Sequence, residues 1–489
     1  MTAAGLTALL ALSACNSDKK DPPVAASNTA SAAPTTEAPS SAAPTTEAPS
    51  SAAPTTPGEK VTVNWFIGLG TGCDQGQPEK EKKVVDAFNA KNPDITLKMT
   101  CVTNSVAQKT LATQIAGGKG PDLVGPVGIR GANQFEGQWA DLGPLIESQK
   151  FDTSIFSEEA MKSQLSTDGK QVALPFAVFP SALWYNKDLF DDAGVAYPPA
   201  AYGEQYEGAE WTWDKLREIA KKLTFDKAGK DATDPAFDGK NVVQWGYHPQ
   251  FAEGNLQRNG TIFGAGSFGN EDRKTAQIPE QWLAGWKWRH EMIHKDKSTP
   301  NATQLGSDTL NKGNAFQTGK IAMAHTHLWY QCCVTDAKGG ALTFWDLAAT
   351  PSYNGTVTAP LHSDSIRILK DSKNKEAAFK VLTYFLTDGM AELVTIYGGI
   401  PARAELQEPF FAELDKKWTQ KPNWAVLKEG LNHPDSPNHE SWTPAFNKTE
   451  ERAAVLATKI NTEPNLDLDA EAEKMKADMQ KLFDADPAK

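Results

Sequence analysis

The 489-residue chain contains no apolar run approaching the roughly 20 residues that a bilayer-spanning helix needs. Basic residues are in the minority: 49 Lys and Arg face 61 Asp and Glu, a formal net charge of −12. That balance argues against a nucleic-acid partner, which demands a basic surface to replace counterions. Neither a Gly-x-Ser-x-Gly nucleophile elbow nor a phosphate-cradling glycine loop is present, so those enzyme classes lack their signature. With 61 acidic residues, candidate carboxylate pairs for glycoside hydrolysis are guaranteed by number alone and carry no information. Cysteine is scarce, at five residues: Cys15, Cys73, Cys101, Cys332 and Cys333.

The N-terminal end is the most informative segment. Gly5–Ala14 is apolar but far too short to span a bilayer, and reads as the hydrophobic part of a signal peptide covering 1–14. Leu12-Ser13-Ala14-Cys15 resembles a bacterial lipobox, in which Cys15 is lipidated and becomes the mature N-terminus. Met1–Ala4 carries no Lys or Arg, so the basic stretch usual before such a segment is missing. Residues 15–58 are nearly all Ala, Ser, Thr, Pro and acidic, and SAAPTTEAPS repeats unchanged at Ser31–Ser40 and Ser41–Ser50. Without large apolar residues the segment cannot offset its ordering entropy. Regular proline favours an extended chain of about 3.1 Å per residue, so it can reach on the order of 100 Å. We expect a disordered stalk that holds the rest at the outer face of the cell membrane.

The remaining residues suffice for two domains. Val61–Ile67 alternates as a strand and runs into the glycine-rich turn Gly68–Gly72. A helix over about 79–89 places Val84, Val85 and Phe88 on one face, and Ile95–Val102 is the next strand. A β-loop-α-β unit makes its two strands parallel neighbours. The pattern goes on with helices at 105–116, 212–223, 375–386 and 470–483 and strands at 122–124, 172–176, 182–185 and 320–324. Alternation of this kind predicts an α/β fold with ligands at the carboxyl ends of the strands. Outside the cell, the four cysteines after Cys15 favour disulfides, with three pairings allowed. Cys73 and Cys101 lie at the same strand edge, which favours their pairing and leaves Cys332 beside Cys333.

Several segments together resemble the family 1 extracellular solute-binding proteins of ATP-driven importers, the group that includes maltose-binding protein. These are VVDAFNAKNPDITLKM (84–99), LATQIAGGKGPDLVG (111–125), ALPFAVFPSALWYNKDLFDDAGV (173–195), EWTWDKLREIAKKL (210–223), FQTGKIAMAHTHLW (316–329), KEAAFKVLTYFLT (375–387) and GGIPAR (398–403), in order. The resemblance implies two α/β lobes with a ligand cleft between them, 59–177 with 324–365 and 178–323 with 366–489. It places hinge crossings near Pro175–Ser181, Met323–His327 and His362–Arg367. It further implies a monomeric receptor without a cofactor, whose partners are a small carbohydrate and the permease and ATPase subunits of an importer.

The resemblance also nominates the site. Trp329 matches the aromatic on which the maltose-binding branch stacks its sugar, although core packing alone also explains a tryptophan. Gly70, Gly72 and Asp74 belong to the first-strand loop that faces the cleft, where a carboxylate accepts sugar hydroxyls; a solvent-facing turn is the alternative. Gly125, Val127, His325, His327 and Asp364 fall at cleft-facing positions of the pattern. Trp245 and Tyr397 are weaker candidates, more readily structural. Cys332 and Cys333, just behind Trp329, are expected to form a vicinal disulfide serving as an apolar wall, the alternatives being two thiols or bridges to Cys73 and Cys101.

His290-Glu291-Met292-Ile293-His294 matches the HExxH zinc motif. No third histidine follows at metzincin spacing and no glutamate occurs between Glu291 and Glu376, so the third ligand is missing. Trp282, Trp286 and Ile293 make this segment an ordinary amphipathic helix. His325, His327 and His362 read as satisfied polar residues rather than a metal site. The expected function is a membrane-tethered sugar receptor and not an enzyme. A receptor for a polyamine or peptide, or a surface hydrolase, stands as the alternative.

Overall fold

The computed structural model describes residues 60–70, 73, 76–312, 314–335, 340–441 and 443–485. The signal-like segment, Cys15, the stalk, Gly72 and Asp74 lie outside the described residues. No helix among the described residues is long and apolar enough to cross a membrane.

The alternating sequence at the start forms β1 (Val61–Ile67), which sends Val63, Trp65 and Ile67 into the core. Helix α1 (Gln77–Lys91) buries Val84, Val85 and Phe88, and β2 (Ile95–Cys101) pairs parallel to β1 with Ile67 opposite Cys101. After α2 (Asn104–Ala116), β3 (Leu123–Gly128) adds in parallel to the other side of β1. The expected parallel, adjacent pair of strands is present.

The two stretches read as separate strands at 172–176 and 182–185 are one strand, β4 (Leu174–Asn186), buried almost throughout. Pro175 and Pro180 interrupt the alternation and hide its continuity in the sequence. The other strands of the main sheet are β5 (Phe225–Asp226), β6 (Val242–His248), β7 (Ile321–His327), β8 (Trp345–Ala348), β9 (Leu361–Ile368) and β10 (Ile400–Pro401). They make one ten-stranded mixed sheet in the order β2-β1-β3-β9-β4-β7-β6-β5, with β8 and β10 also on β4. The seam is β4: Leu174–Pro180 pairs with β9, and from Ser181 the strand pairs with β7.

Helices cover the sheet. Thr212 caps α3 (Trp213–Lys222) by accepting from the Lys215 amide at 3.1 Å, satisfying a donor the helix leaves open. Further along are α4 (Leu256–Thr261), α5 (Glu280–His294), α6 (Lys375–Leu386) and α7 (Met390–Tyr397). The chain closes with α8 (Phe446–Thr462) and α9 (Leu468–Asp484). One core surrounds β1, β4, α6 and α7; others lie around Trp213, Tyr247 and Trp288, and between α5, α8 and α9. Helix α6 packs beside the start of the sheet: the Phe385 ring lies 4.5 Å from that of Trp65 in β1. The reason is the place of β9 between β3 and β4, which delivers α6 to that side of the sheet.

Cys73 is bonded to Cys101 with Cα atoms 5.6 Å apart, and Cys332 to Cys333. The HExxH histidines are structural: His290 Nε2 and His294 Nε2 each lie 2.8 Å from a backbone carbonyl, of Glu463 and Ile460. Glu291 pairs with Arg217 at 2.5 Å. The histidine contacts dock α5 onto the end of α8, and the ion pair ties it to α3.

Candidate functional site

Four carboxyl strand ends converge on one cleft. Gly68 follows β1, Gly128 ends β3, Phe251 lies just beyond β6 and Trp329 just beyond β7. This is where open α/β sheets bind ligands, because loops and helix starts meet there. The cleft has a volume of about 810 Å³, within the range of roughly 300–1,000 Å³ usual for small-molecule sites. One wall comes from the β1 loop, the start of α2 and the segment Gly128–Gln134. Phe251–Arg258, Trp329, Cys332, Cys333, Glu440 and Glu450 face it, and Phe179, His362 and Asp364 also line the space.

The apolar part is a run of nearly parallel rings. Phe251 lies 6.0 Å from Trp329 with planes at 28°, and His327 lies 5.9 Å from Trp329 at 12°. His362 stacks on His327 at 3.8 Å and is followed by His439 at 5.6 Å. Trp329 Nε1 donates to His362 Nδ1 at 3.2 Å, so His362 carries its proton on Nε2. Burial, with the nearby charges of Arg258 and His439, holds His362 well below the usual imidazole value, and it is neutral at pH 7. The stack ends on a charged pair: burial opposes the charge on His439, but Asp435 at 2.5 Å outweighs it and raises its pKa. Phe251 is 46 % exposed and has φ 58°, a conformation costly for a bulky side chain. Its carbonyl accepts from Arg258 Nη1 at 3.0 Å, which ties the ring to the guanidinium over the Trp329 face.

The polar part is charged. Arg130 pairs with Glu450 at 2.7 Å, joining α8 to the opposite wall. Burial, partly countered by Arg130, raises Glu450 to about 7, and burial also raises Glu440 despite Arg130 and Arg258 nearby. Burial lowers Arg258 to about 10 against the pull of Glu253 and Glu440. Asp364 rises to about 7 through burial alone.

Of the residues singled out from sequence, the cleft brings together Gly70, Trp329, Cys332, Cys333 and Asp364. His327 is the layer behind Trp329 and His362. His325 is buried edge-on to Trp213 and reaches only a separate void of about 10 Å³. Gly125, Val127, Trp245 and Tyr397 do not join the cleft wall, because each faces a packed interior. Gly125 (φ 156°) leaves no room for a side chain against Ile366 and accepts from Trp65 Nε1 at 2.8 Å. Val127 sits in the core with Phe66 and Leu111, Trp245 is 2 % exposed, and Tyr397 packs edge-on to Phe176.

Sequence reading missed Phe251, Arg258, Glu440, Glu450 and Arg130. Phe251 had a usable signal, since Pro249-Gln250-Phe251 directly follows a strand end. Arg258, Glu440 and Glu450 belong to no local motif; the fold alone gathers them.

A sheet with a cleft at converging strand ends, lined by aromatic rings and charged groups, is the architecture of a binding protein for a small solute. The chain belongs to the bacterial extracellular solute-binding protein family, whose model matches residues 75–392. It is 27% identical over 333 residues to a binding protein of Brucella abortus (strain 2308), covering 66% of this chain and 72% of that one. A lipoprotein of Streptomyces antibioticus is 23% identical over 312 residues, 62% of this chain and 63% of its own length. Among solved structures, the ABC substrate-binding protein Lmo0181 of Listeria monocytogenes, in complex with cycloalternan, superposes with a TM-score of 0.66. It is 24% identical and covers 86% of this chain and 99% of its own.

Proposed function

We propose that this protein is a lipid-tethered extracellular receptor that captures a sugar or oligosaccharide between two lobes and hands it to an importer permease. The observation that carries the sugar reading is the Trp329 wall. Rings of Phe251 and Trp329 beside the Cys332–Cys333 pair line the same cleft as Arg130, Arg258, Asp364, Glu440 and Glu450. Pyranose rings present apolar faces to flat rings and hydroxyls to convergent polar groups, and this cleft supplies both. A fold neighbour in complex with cycloalternan, and relatives described as a mannitol-binding protein and a multiple sugar-binding protein, support the reading. The tether rests on the Cys15 lipobox and the stalk, with a lipoprotein relative in support. A ligand closes the cleft only through contacts that it makes in the closed arrangement and not in an open one; within the protein, Arg130 pairs with Glu450 and the Asn133 amide donates to the Glu440 carbonyl at 2.9 Å.

A thermal-shift screen of the purified chain against mono- and oligosaccharides, polyamines and short peptides tests this. A ligand that binds the folded state alone adds about 2.7 kcal/mol at a hundredfold excess over its dissociation constant. A shift confined to one saccharide family is expected. Shifts with peptides or polyamines and none with any saccharide overturn the sugar assignment, and release of cleaved saccharide overturns the receptor reading.

A further inference from the structure

The charged groups of the cleft leave one carboxylate without a counter-charge. Arg130 is paired with Glu450. Arg258 lies in the field of Glu253 and Glu440. His362 and His327 are held neutral by burial. Asp364 is only 6 % exposed, lines the cleft, and has no hydrogen-bonding or charged side-chain partner among the described residues.

Its position is built rather than incidental. Asp364 pairs with Gly128 on one side and Ala177 on the other, and the register of β9 slips immediately after it against β4 and between Ser365 and Arg367 against β3. Such irregularities re-aim side chains beside binding sites. The space in front of the carboxylate is kept by two glycines: a Cβ at Gly70 would lie 3.1 Å from one Asp364 oxygen, and a Cβ at Gly128 3.2 Å from the other. An ionised carboxylate buried this deeply is unfavourable unless something opposite in charge completes it. Sugar hydroxyls supply hydrogen bonds but leave the charge in place. A protonated nitrogen supplies both, through the stronger charge-assisted bond.

Building on the saccharide reading, we propose that Asp364 anchors a protonated nitrogen of the ligand, and that the preferred solute is an amino sugar or an oligosaccharide bearing one. Trp329 then holds the ring face while Asp364 sets which ring position carries the amine. Specificity arises from the difference between charged and neutral ligands of the same shape.

Isothermal titration of the full chain with matched probes tests this: glucosamine, galactosamine and mannosamine and their short oligomers, each against the neutral and N-acetylated counterpart, with spermidine as a non-sugar cation. The aminated member of at least one pair is expected to bind about tenfold tighter or more, and Asp364→Asn to erase that advantage. A second measurement needs no variant. Titration at pH 6 in buffers of different ionisation enthalpy should show a proton released as the aminated ligand displaces the one held by Asp364. Neutral sugars binding as tightly as their aminated partners, or aminated binding without proton release, overturn the proposal. Binding of spermidine alone, lost in Asp364→Asn, keeps the cationic subsite and overturns the sugar reading. No response to any probe overturns both.

Discussion

At the scale of single residues, burial governs the ionisation of the cleft. Asp364 and Glu450 reach about 7 because the charged carboxylate is poorly solvated there. A carboxyl raised above its unfolded value of about 4 binds more protons folded than unfolded. Its stabilisation is therefore complete below about pH 4 and is lost as pH rises through 7. Thermal unfolding of the ligand-free chain should give a lower Tm at pH 8 than at pH 6, and Asp364→Asn should flatten that slope; a slope unchanged in the variant would contradict the assignment. Residues such as Trp329, Asp364 and the adjacent cysteines were legible because they sit in stretches with a recognisable order. Arg258, Glu440 and Glu450 were not, since three separated segments carry them and only tertiary packing makes them neighbours.

At the scale of elements, β1, α1, β2 and α2 were readable because each has one clear period and a sharp stop, such as Asn92-Pro93-Asp94. The long β4 was not, because Pro175 and Pro180 break the pattern, the second of them just where the strand changes partners. Close approach is another feature hidden from periodicity. Gly246 in β6 lies against α3 so tightly that a Cβ would be 2.0 Å from the Ala220 carbonyl oxygen. Gly246→Ala must push helix from strand, and overpacking of this kind costs about 1–3 kcal/mol or more. Chemical denaturation should show that loss, and an unchanged midpoint would contradict the close packing described.

For the whole molecule, the two sides of the cleft are also tied outside it. Arg273 donates two bonds to the Glu136 carboxylate, at 3.0 and 2.8 Å. Neither Arg273 nor Glu136 lines the cleft. Exposed pairs of this type contribute about 0.2–1 kcal/mol. Arg273→Ala should therefore weaken every ligand alike, by no more than about fivefold, and small-angle scattering should show a more open ligand-free molecule. Loss confined to one ligand would contradict a role in closure. The measurement that bears most directly on the receptor assignment is calorimetric titration of the chain and of Trp329→Ala with the saccharide found by the thermal screen. A buried aromatic anchor is worth about 2 kcal/mol or more, so the variant should bind at least about tenfold more weakly while unfolding at a similar temperature. Equal affinity in the two proteins would show that the aromatic wall is not where the ligand binds.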